Sequence, residues 1–202
     1  MYEKLTTKEI AEYFSKHVNW NFFYSAIDTL GNSLNSPKNR FDKSDILELA
    51  IEVFSDGKIK HFNGTGRDFF IPELNCYCEM KYAEDLLYTG SGKSKTKETL
   101  TLVNTMGSND RVSLPSTYSP FLIAVGSKGC AIVSKDVLEQ YLDTDSDSGQ
   151  IKSKDIPIEK FVFVRKKDEV TNRRVILNID YSEEKLKLQK SFLNKFKEIL
   201  EN

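Results

Sequence analysis

The sequence predicts an α/β fold of the α+β kind, with helices flanking a central mixed β-sheet. Hydrophobic residues recur at helical spacing up to Phe54, alternate with a period near two from Lys58 onward, and return to helical spacing at the carboxyl end. A chain of 202 residues can bury one substantial core, which predicts a single domain over 1–202. The core is predicted at about 42–142, with a hairpin and a helix over 158–202 as an extension.

Helices are predicted throughout the segment before the first strand. Thr6 and Glu9 have the spacing of a capping box, and apolar residues follow them at helical intervals. The aromatic-rich segment 20–34 is predicted to be partly helical. Asp42 is predicted to cap the next helix, and Gly57 stands where the carboxyl-terminal stop of that helix belongs.

Short apolar or alternating runs predict the strands. They lie at 58–62, 68–71, 76–82, 121–125 and 130–133, and a further pair at 161–165 and 174–179 forms a predicted hairpin. Ser134 is predicted to cap a short helix through Tyr141, and Ser182 to cap a carboxyl-terminal amphipathic helix. The polar segment 89–117 fits no period well, although part of it is compatible with a helix, and 143–154 is predicted to be a loop.

Composition limits the class of protein without identifying it. The net charge is −1, from 29 basic and 30 acidic residues, so overall charge does not indicate a nucleic-acid partner, although a local groove can still bind one. No apolar run approaches the roughly 18 residues that a membrane helix needs, so we expect no membrane partner. Three cysteines without framework spacing suit a reducing cytoplasm, where we expect the protein to be.

The segment from Gly66 to Lys81 carries the residues that indicate chemistry. On a strand over 76–82, Glu79 and Lys81 point to one face, while the two cysteines and the methionine between them point to the other. A hairpin through the turn at 72–75 brings the Asp68 carboxylate beside Glu79. The plainer alternative is that Glu79 and Lys81 form an ion pair on a solvent-facing strand surface.

Two carboxylates and an ammonium group at a sheet edge suit the hydrolysis of a phosphodiester. Carboxylate oxygens are ligands that Mg²⁺ prefers, and a bound Mg²⁺ lowers the pKa of its water and stabilises developing charge. In this arrangement Asp68 and Glu79 are the predicted metal ligands. Lys81 is predicted to contact a phosphate oxygen and to orient the attacking water, or to help deprotonate it.

This pattern resembles that of the PD-(D/E)xK nuclease superfamily, whose acidic residue precedes a strand carrying (D/E)-x-K. The matching positions are Asp68 and Glu79-Met80-Lys81, within a resemblance that covers roughly 42–82. It implies a restriction-endonuclease-like core with Asp68, Glu79 and Lys81 as catalytic residues. The helix before the strands donates a further acid in many relatives, and Glu48 or Glu52 would have that part here. Arg67 stands where the motif often has proline.

Within the superfamily, the size and the polar loops resemble those of a type II restriction endonuclease. This resemblance implies a Mg²⁺-dependent, sequence-specific cut in double-stranded DNA by a homodimer, because a palindromic target has two-fold symmetry. Two alternatives are a structure-selective nuclease such as a junction resolvase, and a catalytically silent DNA-binding protein of the same fold. The predicted DNA-binding residues are Lys93, Lys95, Asn104, Asn109, Arg111, Arg165, Arg173 and Arg174.

Two other motifs are incomplete. The segment 89–94, Thr-Gly-Ser-Gly-Lys-Ser, resembles a phosphate-binding loop, but Leu87 occupies the position of its first glycine, so we predict no nucleotide cofactor. Cys76, Cys78 and His61 suggest zinc, yet no second close pair of ligands accompanies them. Buried thiols facing the core are the favoured interpretation of these cysteines.

Overall fold

A computed structural model describes residues 5–33, 40–64, 66–82, 118–126, 129–141, 156, 158–166 and 185–202. Its α-helices are α1 (Thr7–His17), α2 (Trp20–Ser33), α3 (Arg40–Phe54), α4 (Lys135–Gln140) and α5 (Lys185–Glu201). Its strands are β1 (Lys60–Gly64), β2 (Arg67–Ile71), β3 (Cys76–Tyr82), β4 (Phe121–Gly126), β5 (Gly129–Ser134) and β6 (Val162–Lys166). Short 3-10 turns cover Pro72–Leu74 and Ile158–Lys160.

The six strands form one sheet in the order β1-β2-β3-β4-β5-β6. Neighbouring strands are antiparallel except β3 and β4, which run parallel with Cys78 opposite Phe121. The predicted mixed sheet with flanking helices is therefore confirmed. The parallel register also places the residues just before β4 beside the start of β3.

Local sequence signals account for most element ends. The Thr6–Glu9 capping box is present at α1, and the Ser134 hydroxyl accepts a hydrogen bond from the Val137 backbone N–H at the start of α4. The prediction that Asp42 caps the third helix is wrong, because α3 already begins at Arg40. Asp42 lies within the first turn of that helix.

The core lies on both faces of the sheet. On one face, α1, α2, α3 and α5 pack against alternate strand residues such as Phe69 and Ile123. On the other face, a smaller cluster built around Leu122 and Leu138 covers β4 and β5. Because both faces are covered there, β4 is buried along its whole length and reads as a continuous apolar run.

The carboxyl-terminal segment belongs to the same sheet and core. Strand β6 extends the sheet beyond β5, and helix α5 buries Leu193 and Phe196 in the cluster that also contains α3. The predicted second strand of its hairpin, 174–179, lies outside the described residues. None of the helices in the described part of the chain is long and apolar enough to cross a membrane.

Candidate active site

The candidate site lies where β2 and β3 separate. Their antiparallel ladder pairs Phe69 with Cys78 and ends there, and the next pair in register would be Asp68 opposite Glu79. Instead of a backbone contact, the Asp68 Oδ2 atom accepts a hydrogen bond of 2.6 Å from the backbone N–H of Met80. From Cys78 onward β3 pairs with β4 on its other side. The Asp68 carboxylate therefore fills the fork between two diverging strands.

Glu79 and Lys81 point to the same face of β3, as the alternation predicts. Glu79 is only 3% exposed, and its Oε1 atom accepts a hydrogen bond from the half-buried Lys81 Nζ. The ion pair of the plainer alternative is therefore present, but its carboxylate is buried and does not lie on a solvent-facing surface. Cys76, Cys78 and Met80 face the core on the opposite side, also as predicted.

The surroundings of Asp68 and Glu79 disfavour the ionised form of both carboxyl groups. Burial, followed by the charges of Glu79 and Glu48, raises the pKa of Asp68 to about 7. Burial also raises the pKa of Glu79, although Lys81 and a hydrogen bond from the protonated Asp68 carboxyl act in the opposite direction. Near neutral pH the pair therefore retains a proton that a divalent cation would displace.

Helix α3 supplies two acidic residues with different surroundings. The Glu48 Oε2 atom lies 3.2 Å from Nε2 of His61, and the negative charge of Glu48 raises the pKa of both Asp68 and Glu79. Glu52 instead accepts hydrogen bonds from the His61 backbone N–H at 3.2 Å and from the Lys190 ammonium at 2.9 Å. Glu52 is the predicted fourth catalytic residue, but of these two acids Glu48 is the one whose charge raises the pKa of Asp68 and Glu79.

His61 connects these acids to the end of β1. It is half-buried, and its hydrogen bond with Glu48 raises the pKa of the imidazole, partly offset by burial. A protonated His61 would hold Glu48 by a charge-assisted hydrogen bond. The sequence places His61 near the site but gives no sign of its partner, because that partner lies on α3.

Tyr118 is a site residue that sequence reasoning missed. Its side chain is buried, and its hydroxyl has no hydrogen-bond partner among the described residues. Its ring packs on Gly66, two residues before Asp68, and burial followed by the charges of Glu79 and Asp68 raises its pKa. The two hydrogen bonds from Ser119 to the Gly66 carbonyl hold this segment there, and no local motif indicates that contact.

The chemistry of the pair fits a hard divalent cation. Asp68 and Glu79 offer carboxylate oxygens, and with both groups ionised the buried Glu79 Oε2 atom has no hydrogen-bond donor in the described part of the protein. Within that same part, no three acidic, histidine or cysteine side chains form a ready-made ligand group. Two carboxylates still suit Mg²⁺, which keeps several water ligands and takes further oxygens from substrate phosphates.

An aromatic cluster adjoins the carboxylates on β3. Tyr77, two residues before Glu79 and on the same face, contacts the rings of Phe62 and Phe70 at centroid distances of 5.1 and 4.8 Å. The Arg67 guanidinium lies 4.8 Å from the centre of the Tyr77 ring. Phe62 is one of the more exposed apolar side chains among the described residues. Cationic and aromatic groups therefore lie next to the carboxylates.

The predicted DNA-binding residues are not brought to the site by any described contact. Arg165 lies in β6 opposite Cys130, and its side chain is not among those that the structure describes. The predicted loop residues and the phosphate-loop-like segment 89–94 also lie outside the described residues. These residues are Lys93, Lys95, Asn104, Asn109, Arg111, Arg173 and Arg174.

The chain matches no protein-family model, no curated protein and no solved structure.

Proposed function

We propose that the protein is a Mg²⁺-dependent DNA endonuclease of the PD-(D/E)xK type with a restriction-endonuclease-like core. One observation carries the proposal: the carboxylates of Asp68 and Glu79 and the ammonium of Lys81 are gathered at a strand fork and largely withdrawn from water. Burying two carboxylates costs folding free energy, and the pKa of each stays raised despite the hydrogen bonds from Met80 and Lys81. A site of this kind is where catalytic groups with perturbed pKa values are expected.

Each residue has a role in phosphodiester hydrolysis. Asp68 and Glu79 would hold the cation, whose chemistry is to lower the pKa of a bound water and to neutralise charge on the phosphate. Lys81 donates hydrogen bonds from the edge of the site, where it orients the attacking water and contacts a phosphate oxygen. Glu48, held by His61, completes the negative field that favours a divalent cation over a proton.

The order of elements supports the assignment. A helix carrying an acid precedes a hairpin, the first strand of the hairpin carries Asp68, and the second carries Glu79 and Lys81. This order is the one that the family resemblance implies for 42–82. We propose double-stranded DNA as the substrate and a homodimer as the active form, so that two symmetric sites cut the two strands of a palindrome.

A cleavage assay tests the proposal. Purified protein is incubated with plasmid and phage DNA and Mg²⁺, beside Asp68→Asn and Lys81→Gln and two controls, Asp56→Asn and Lys8→Gln. Both control residues are exposed and belong to ion pairs remote from the fork. We expect discrete fragments from wild type and from both controls, and a rate at least about 100-fold lower for each site variant.

Other results of this assay would indicate a different function or a different role for Lys81. Cleavage confined to branched DNA would indicate a junction resolvase. Absence of cleavage with any divalent metal, together with retained DNA binding, would leave a silent DNA-binding protein and reject the catalytic assignment. Equal rates for wild type and Lys81→Gln would show that the pairing of Lys81 with Glu79 is structural only.

A further inference from the structure

Tyr118 and Glu79 each present a buried polar atom without a hydrogen-bond partner. Tyr118 is 5% exposed, and its hydroxyl has no hydrogen-bond partner among the described residues. Glu79 is 3% exposed, and its Oε2 atom has no donor in the same part of the protein when Asp68 and Glu79 are both ionised. A buried polar group left unpaired costs about 1–3 kcal/mol of stability. Because the Tyr118 ring packs on Gly66, two residues before Asp68, its unpaired hydroxyl indicates a ligand of the candidate site that pairs with it.

The Tyr118 ring is fixed in place by contacts to the turn before Asp68. The backbone N–H and the hydroxyl of Ser119 both donate to the Gly66 carbonyl, at 3.0 and 2.7 Å. A Cβ atom on Gly66 would lie 3.0 Å from the ring atom Cδ2 of Tyr118, so the ring packs directly on the glycine. These contacts, made across 53 residues of sequence, hold the phenol against the segment that leads into the carboxylate fork.

The hydroxyl is suited to donate rather than to ionise. Burial and the charges of Glu79 and Asp68 raise the pKa of Tyr118, so the phenol keeps its proton at any pH at which a nuclease would work. A neutral donor in a water-poor site interacts most strongly with an anionic oxygen. In a phosphodiester bound to the carboxylate pair through a cation, the non-bridging phosphate oxygens are such acceptors.

We propose that Tyr118 is a catalytic residue, whose hydroxyl donates a hydrogen bond to a non-bridging oxygen of the scissile phosphate. This inference rests on the proposed nuclease function and adds a residue that the motif does not contain. Tyr118 transfers no proton in this role, and its bond to the phosphate oxygen shortens as negative charge gathers there in the transition state. Its contribution is therefore to the rate more than to substrate binding.

Replacement of the hydroxyl alone tests the inference. Tyr118→Phe is compared with wild type and with Tyr24→Phe, a second buried tyrosine that packs against Trp20 and Phe23 within α2. Three quantities are measured on each protein: the single-turnover rate of plasmid cleavage with Mg²⁺, the Kd for DNA with Ca²⁺, and the Tm without metal. Mn²⁺ affinity, measured by electron paramagnetic resonance, provides a fourth readout that does not depend on cleavage.

We expect the cleavage rate of Tyr118→Phe to fall by about 10- to 100-fold, the loss of one hydrogen bond to a charged group. Its Kd for DNA and its Mn²⁺ affinity should change by less than about threefold, and its Tm should be equal to or above that of wild type, because an unpaired buried hydroxyl is removed. Tyr24→Phe should cleave at the wild-type rate.

Each contrary result has a distinct meaning. A wild-type rate in Tyr118→Phe overturns the inference and leaves the proposed nuclease function intact. A lower rate accompanied by a lower Tm and weaker Mn²⁺ binding also overturns it, because the hydroxyl would then support the carboxylates through a bridging water. Absence of cleavage by the wild-type protein overturns the proposed function, and the role of Tyr118 with it.

Discussion

The carboxyl groups of Asp68 and Glu79 are largely buried in the folded protein. Burial raises the pKa of both, the charge of Glu79 raises the pKa of Asp68 further, and Lys81 opposes the shift in each. A residue chosen for stability alone would be an amide or an apolar side chain here. The carboxylates therefore predict a measurable dependence of folding stability on pH.

Stability should decrease as pH rises from about 5 to about 8. Asp68 has a pKa of about 7 in the folded protein and near 3.8 when unfolded, so the folded state binds more protons between those values. Its stabilising contribution is complete below the unfolded value and is lost as pH passes through the folded one. We expect a difference on the order of 1–3 kcal/mol, measured by urea unfolding of the metal-free protein.

The Asp68→Asn variant should lose most of this pH dependence and should be the more stable protein at about pH 8. The exposed Asp56→Asn variant is the matched control and should follow the wild-type profile. If Asp68→Asn and wild type keep parallel profiles across this range, the carboxyl group at the fork is not the titrating group.

The turn between β1 and β2 contains Gly66, which packs against the Tyr118 ring. Gly66 has a φ of +70°, a conformation that side chains with a Cβ adopt only under strain, and its open face receives the Tyr118 ring. Gly57, after α3, has nearly the same φ of +71°, but a Cβ atom at that position would have no neighbouring atom within 4 Å. Substitution of Gly57 therefore tests backbone strain alone, whereas substitution of Gly66 tests the same strain together with displacement of the Tyr118 ring.

Gly66→Ala and Gly57→Ala should each cost about 1–2 kcal/mol of stability, because both place alanine in a left-handed conformation. Only Gly66→Ala should also lower the cleavage rate, by about 10-fold or more, because its methyl group displaces the Tyr118 ring. Urea unfolding and the plasmid assay measure the two effects. A similar loss of cleavage in both variants would attribute it to general destabilisation.

The sequence predicted the single helices and strands well, but it predicted the contacts between them poorly. The alternation along 76–82 correctly separated Glu79 and Lys81 from the cysteines, because side chains in a strand alternate whatever the neighbours are. The pairing of Glu48 with His61 depends instead on helix packing, and the placement of Tyr118 depends on the contact between the segment before β4 and Gly66. No local pattern encodes a contact across 53 residues.

At the scale of the whole molecule, metal binding should appear as folding stability. A cation that binds only the folded protein stabilises it by mass action, and it requires both carboxyl groups to be deprotonated. We expect millimolar Mg²⁺ to raise the Tm by about 2–6 °C at about pH 8 and by less at about pH 6. Differential scanning calorimetry of wild type and Asp68→Asn measures this.

The variant should show no Mg²⁺-dependent shift at either pH, since half of the carboxylate pair is missing. The same experiment with Na⁺ at equal ionic strength controls for screening of surface charge. An identical Mg²⁺ shift in Asp68→Asn would place the cation elsewhere on the protein.

The hydrogen bonds between Ser119 and Gly66 also have a consequence for the chain while it is being synthesised. The β2–β3 hairpin is local and can form as soon as it leaves the ribosome, but closing the 53-residue separation between Gly66 and Ser119 must wait for β4. An incomplete or partly unfolded polypeptide thus has the carboxylates without the phenol. On the proposed function, such a polypeptide cuts poorly, and DNA in the producing cell meets the full activity only from finished molecules.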